Sequence, residues 1–169
     1  MIIRQYQSSD CGELAKLFYN TVHAIDPKYY TKEQKNVWAT GKIDLKKWDE
    51  SFQKHDSLVA IDEGMIIGFG DISHTGYLDR LYVHPNYQNK GVATAICDRL
   101  EQKVTGRIVT HASLVAKPFF IKRGYKVVQM NQIKRGGILL INYTMIKDCL
   151  LYTSPSPRDS TSSRMTSSA

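Results

Sequence analysis

The chain has 169 residues, 42% of them apolar and 23% charged, proportions that suit one soluble domain with a core of its own. Its formal net charge of +7 admits nucleic acid, a membrane surface or an anionic cofactor as a partner. The basic residues are scattered, however, with only short clusters at Lys46-Lys47, Lys122-Arg123 and Lys134-Arg135, which fits a solvated surface better than a nucleic-acid groove. No apolar run approaches the roughly 20 residues of a spanning helix. The opening "MIIRQYQSSD" turns polar at once and carries no signal-peptide core. No membrane partner is therefore expected, and a cytoplasmic location is. Cys11, Cys97 and Cys149 are odd in number and far apart, and the five histidines show no HxxxH or HExxH spacing. Neither a disulfide framework nor a metal is expected.

In chain order, "IIRQYQ" (2–7) reads as a strand. A helix follows, with Ser8, Ser9 or Asp10 as its N-cap and a stripe at Leu14, Leu17, Phe18 and Val22. Thr31 and Gln34 have capping-box spacing at the head of a second helix, and Asp44 caps a third over 44–54. Two strands meet at Glu63-Gly64, a hairpin signal, and "GYLDRLYVH" is another strand. Gly91 to Val104 reads as a helix with Ala93, Ile96, Cys97, Leu100 and Val104 on its apolar stripe and Asp98, Arg99, Glu101 and Gln102 facing away. A strand over 106–113, a short helix stopped by Gly124, and two strands around Arg135-Gly136-Gly137 complete the order. The order is that of one mixed α/β domain over residues 1–148. From Cys149 onward the chain is Ser/Thr-rich, and "CLLYTSPSPRDS" looks like translated sequencing-adapter read-through. Residues 149–169 are accordingly read as a disordered, non-native tail.

The stretch "LYVHPNYQNKGVATAICDRLEQ" carries the chemistry. A strand feeds a helix whose first turn has unpaired N–H groups and partial positive charge, an anion site wherever the backbone can be approached. Gly91 and Ala93 leave room, Lys90 adds a cation and Thr94 a hydroxyl, so Gln88-x-x-Gly91-x-Ala93 reads as a pyrophosphate cradle. The same small residues would also serve close packing of helix on sheet. The spacing is neither a Walker A loop nor a Rossmann fingerprint.

With the following strand and "AKPFFIKRGYKVV", this stretch resembles the GNAT family of acyl-CoA-dependent N-acetyltransferases. Q-x-x-G-x-A stands where the family has R/Q-x-x-G-x-G/A. The resemblance covers roughly residues 1–147 and looks closest to the YafP-like branch. It implies a central mixed, mostly antiparallel sheet of about seven strands, flanked by helices and split to hold acetyl-CoA. It further implies pantetheine contacts at Leu81, Tyr82 and Val83 and a cradle of Gln88, Asn89, Lys90, Gly91, Val92, Ala93 and Thr94. A backbone N–H near Leu81 or Tyr82 would polarise the thioester carbonyl. The attacking amine must shed a proton, and the candidate bases are Asp79 and then His111. Asp79 also fits a strand-edge carboxylate, and His111 a structural histidine. Ser113 stands where many members bind pantetheine through Asn. Phe120 stands where many have a tyrosine acid and cannot donate a proton; Tyr87, Tyr125 and Tyr143 are donors by type. Tyr30 and Trp38 are expected at the acceptor pocket, and Trp48 in the core.

The function implied is transfer of acetyl to an amine of a small molecule or peptide, by direct attack in a ternary complex and without metal. The protein is expected as a monomer or homodimer, with no nucleic-acid partner. The alternative is a non-catalytic acyl-CoA-binding or sensor domain, which the Phe120 departure favours.

Overall fold

A computed structural model describes residues 1–149. Seven strands form one sheet: β1 (Ile2–Gln5), β2 (Asp56–Asp62), β3 (Met65–Ile72), β4 (Tyr77–Val83), β5 (Gly106–Ser113), β6 (Lys126–Arg135) and β7 (Ile138–Cys149). Their order across the sheet is β1-β2-β3-β4-β5-β7-β6. Every neighbouring pair is antiparallel except β4–β5, which is parallel. The mixed, mostly antiparallel sheet is thus the expected one. Cys149 ends β7, opposite Gly106, rather than starting a tail. The expected tail otherwise lies outside the described residues.

Five helices cover the two faces: α1 (Cys11–His23), α2 (Lys32–Trp38), α3 (Leu45–Lys54), α4 (Val92–Glu101) and α5 (Lys117–Lys122). Side chains alternate across each strand, so the sheet divides two cores. Leu58, Ala60, Ile67, Leu78 and Ile108 pack with Ile96, Cys97 and Leu100 of α4. Val59 and Phe69 point the other way, onto Leu14, Phe18 and Val22 of α1 and Phe52 of α3. The close approach of α4 rests on two glycines of β3. A Cβ at Gly68 would stand 3.0 Å from Val92 Cγ1, and one at Gly70 would stand 3.0 Å from Ile96 Cγ2.

Local chemistry accounts for most boundaries. The Thr31–Gln34 capping box forms in both directions, at 3.1 and 2.8 Å, and Asp44 Oδ1 accepts from the Lys47 N–H at 3.2 Å. Glu63 and Gly64, at φ 50° and 77°, make the expected tight turn of the β2–β3 hairpin. Three details differ from the sequence reading. None of Ser8, Ser9 or Asp10 caps α1 with its side chain; a 3-10 turn precedes that helix. Asp10 instead accepts from the Gln7 N–H at 2.9 Å and from both terminal nitrogens of Arg4. Helix α4 starts one residue later and ends sooner than Gly91–Val104, with Gly91 as its left-handed N-cap at φ 85°. Glu101 does not face away. It is 9% exposed and bonds to Arg123, Tyr125 and Lys147, partners brought by α5, β6 and β7 that no helical period reveals.

Candidate active site

The parallel pair is where the sheet opens. β4 and β5 pair at Tyr77–Val109 and Leu78–Thr110 and then part, although β4 runs on to Val83 and β5 to Ser113. His84 N–H donates to Ile67 C=O at 2.8 Å, and Tyr82 lies opposite Phe69 in the same register. Beyond the register shift at Asp71/Ile72, Arg80 and Tyr82 therefore spend their backbone groups on β3, while Leu81 and Val83 aim theirs at the gap. The Val83 carbonyl accepts from Gln88 Nε2 at 3.1 Å and Thr21 Oγ1 at 3.4 Å. The Leu81 N–H and C=O face the opening with no ladder partner on β5. Tyr82, expected beside Leu81 as a backbone contact, lines the cleft but turns its backbone to β3 and sends its ring between Phe18 and Phe69.

A cleft of about 680 Å³ follows this opening. One end is lined by Gln88, Asn89, Gly91, Val92, Ala93 and Thr94 at the start of α4. Nothing stands within 4 Å of where a Cβ on Gly91 would sit. Gly91 is thus not the packing glycine; Gly68 and Gly70 are. Its φ of 85° needs glycine, and Asn89 is also left-handed at φ 61°. Two left-handed residues so close together curl the loop into the first turn of α4, whose N–H groups are unspent. Lys90 is exposed and does not line the cleft; its Nζ lies 5.5 Å from the centre of the Tyr87 ring. Ser113 lines the cleft, its hydroxyl holding the Ala116 N–H at 3.1 Å.

Phe120 requires a correction. It is 0% exposed, packed on Tyr125 in the α4-side core, and the cleft is lined by Phe119 instead. The helical turn of α5 gives the outward direction to Phe119 and the inward one to Phe120. Tyr125 is buried against Glu101, and Tyr143 does not line the cleft, whereas Tyr87 does.

Asp79 and His111 both line the cleft, on β4 and β5 beside the point of parting. Burial raises the Asp79 pKa, the charge of Asp71 adds to this, and Arg80 at 3.7 Å opposes it. Burial lowers that of His111, with Asp79 pulling it back up. The His111 Nδ1 is 2.9 Å from the Tyr77 hydroxyl, whose own pKa burial pushes up to about 12. When Nδ1–H donates to Tyr77, Nε2 is free to accept a proton; in the other tautomer Nε2 carries one.

Behind Asp79 lies a network that sequence reasoning missed. Asp71 is 0% exposed and holds Arg80 through both oxygens, at 3.0 and 2.6 Å, and His55 Nδ1 at 2.7 Å. Arg80 also donates to Ser51 at 2.6 Å and stacks 4.0 Å from the centre of the Phe52 ring. Ligand atoms of His55, Asp71 and Asp79 fall within 4.8 Å of one another, a spacing open to a cation. Both Asp71 oxygens are already engaged by Arg80, so the group reads as an ion-pair network around a guanidinium. The network draws on the end of α3, on β3 and on β4, and no helical or strand period joins its members.

At the other end of the cleft stand Tyr30 and Trp38, ring centres 5.2 Å apart. The Tyr30 hydroxyl donates to Ile141 C=O at 2.9 Å and accepts from Leu114 N–H at 2.8 Å, tying the α2 entry to β7 and to the loop after β5. Trp48 packs beside the α1-side core. Sequence reasoning missed Ile133, Arg135, Leu140 and Asn142, which bring one face of the β6–β7 hairpin to this end. The hairpin itself was legible; which of its faces met the cleft was not.

A sheet that splits at its one parallel pair, with a helix N-terminus at the split, is the acyl-CoA-binding architecture of N-acetyltransferases. The chain belongs to the GNAT acetyltransferase family: residues 27–147 match the acetyltransferase (GNAT) domain model. It is 33% identical over 144 residues to the uncharacterized N-acetyltransferase YafP of Escherichia coli (strain K12), covering 85% of this chain and 93% of YafP. The crystal structure of a GCN5-related N-acetyltransferase from Rhodopseudomonas palustris superposes with a TM-score of 0.82 at 30% identity, over 87% of this chain and 94% of that one. The structure of yncA, a putative acetyltransferase from Salmonella typhimurium with its cofactor acetyl-CoA, shares the fold at a TM-score of 0.66 and 17% identity, over 93% and 98%. Among the described residues no helix is long and apolar enough to cross a membrane.

Proposed function

We propose that the protein transfers the acetyl group of acetyl-CoA to a primary amine by direct attack, with cofactor and acceptor bound together. The observation that carries this is the shared cleft, in which the unspent backbone of Leu81, the α4 cradle, Asp79 and His111 all meet. Bound acetyl-CoA would supply an activated acetyl thioester. The curled loop at Asn89–Gly91 offers amides to its phosphates, and Leu81 offers N–H and C=O groups along the split.

Asp79 is the proton acceptor of this reading. A free amine is mostly protonated near neutral pH, and a carboxylate whose pKa is raised by burial is a better base than an ordinary one. His111 stands second, because its tautomer depends on Tyr77. With Phe120 in the core, Tyr87 is the one of the three candidate tyrosines, Tyr87, Tyr125 and Tyr143, that lines the cleft, and is our choice to protonate the leaving thiolate. That thiolate, with a pKa near 8.5, also leaves with little help. The cytoplasmic location stays part of this reading.

Calorimetric titration with acetyl-CoA, with CoA and ATP as controls, tests the cradle, and thiol release in the presence of amines tests transfer. Saturable binding of acetyl-CoA with amine-dependent thiol release is expected. Binding without release from any amine would leave the non-catalytic acyl-CoA domain. No binding to folded protein would remove both.

A further inference from the structure

We infer that the acceptor amine carries a carboxylate at the far end of an apolar body, and that Arg135 is the residue that reads it. The inference rests on the transferase reading above and names its substrate class.

Six arginines lie among the described residues. Arg4, Arg80, Arg107 and Arg123 each pair with an acid, and Arg99 donates to the Ile3 carbonyl. Arg135 has no such partner among the described residues, yet it lines the cleft. It is not on a free loop. Gly136 and Gly137, at φ 55° and 79°, close the β6–β7 hairpin as a two-residue turn. Gln34 of α2 donates to the Leu139 carbonyl at 3.0 Å, and Tyr30 holds that of Ile141. The hairpin is thereby fixed against α2, with Arg135 at its end.

Strand pairing places Arg135 opposite Ile138, Ile133 opposite Leu140, and Asn131 opposite Asn142, all on one face. Apolar Ile133 and Leu140 therefore separate two donors. Asn142 accepts from Asn131 through its oxygen, and its own amide N–H groups find no acceptor among the described residues. A carboxylate suits this end, because the guanidinium fork matches its two oxygens.

The proton-accepting end is elsewhere. His111 lies opposite Thr144, and Ile138 to Thr144 is six residues of β7, roughly 20 Å of extended strand. Asp79 beside that end repels a carboxylate close to the amine. An α-amino acid, with both charges adjacent, fits poorly; an amine and a carboxylate held apart by an apolar chain fit both ends.

The test compares kcat/KM for 6-aminohexanoate, 8-aminooctanoate and 12-aminododecanoate with that for the alkylamines of equal chain length, and for trialanine with that for its C-terminal amide. At least one carboxylate member is expected to exceed its uncharged match by about tenfold or more, the worth of one charge-assisted hydrogen bond. In Arg135→Ala that ratio falls toward one, in Arg135→Lys part of it survives, and in Arg135→Glu it inverts. Turnover of amines with no carboxylate preference in wild type, or a preference that survives Arg135→Ala, overturns the inference and leaves the transferase reading standing. Weakened acetyl-CoA affinity in Arg135→Ala places the guanidinium on the cofactor and also overturns it. No thiol release with any amine, while acetyl-CoA binds, sinks the transferase reading itself.

Discussion

Gly91→Glu separates the cradle from a mere packing position. The residue sits at φ 85° with open space where a side chain would begin. An L-residue forced there costs about 1–2 kcal/mol in backbone strain, which for a domain of this size lowers Tm by roughly 2–8 °C. No packing is lost, so stability suffers no more than that. The carboxylate, however, would stand where the phosphates are to bind. At about 4 Å and an effective dielectric near 20, one pair of like charges costs about 4 kcal/mol, and salt screening leaves about half to three quarters of it. Affinity for acetyl-CoA should then fall by about 30- to 150-fold. Gly70→Ala is the comparison: its Cβ would meet Arg80 O and Ile96 Cγ2, both at 3.0 Å. Overpacking there costs about 1–3 kcal/mol and leaves the cleft alone. Thermal melts and calorimetry on both variants decide the matter. Folded Gly91→Glu with wild-type affinity would refute the cradle.

Asp79→Asn should lose more turnover at pH 7 than at pH 9, where the amine deprotonates unaided; equal loss at both pH values counts against Asp79 as base. The same variant should melt higher than wild type at pH 7. Burial, with Asp71, holds the folded-state pKa above the unfolded value, so the unfolded chain releases its proton first as pH rises; the fold loses stability progressively until pH passes the folded value, and the loss persists above it. Wild type and variant should converge below about pH 3.9. Cys97→Ala should keep turnover, since the thiol is 0% exposed and burial pushes its pKa up to about 12; abolished turnover with intact cofactor affinity would indicate a covalent route. Tyr30→Phe strands the Leu114 N–H and the Ile141 C=O in a half-buried site and should cost about 1–3 kcal/mol, read as a lower Tm; an unchanged melt would mean that the two groups find other partners.

Short-range signals were legible because their causes are short-range. The Thr31–Gln34 box, the Glu63-Gly64 turn and the glycine at the head of α4 each act within four residues. The apolar runs on either side of Glu63-Gly64 in "SLVAIDEGMIIGFGD" were enough for paired strands. The site was legible in part: the motif pointed to the loop at the head of α4, and the resemblance to Asp79, both of which line the cleft. The facing of α5 was not, because a six-residue helix gives too few turns to choose between Phe119 and Phe120.

By itself, then, the sequence determined the element order and the glycine turn at the head of α4, which follow from local backbone chemistry and hydrophobic period, while the mixed sheet came through the family resemblance. Only the tertiary structure decided the rest. It chose Leu81 over Tyr82 as the free backbone of the split, because ladder alternation depends on which strand lies alongside. It gave the packing role to Gly68 and Gly70, buried Glu101 among three partners, and set Asp79 in front of the Asp71–Arg80–His55 network. It also brought to the cleft an Arg135 that has no acidic partner among the described residues. Each of these depends on groups that are distant in the chain and adjacent in space, and burial and charge take their meaning from such neighbours.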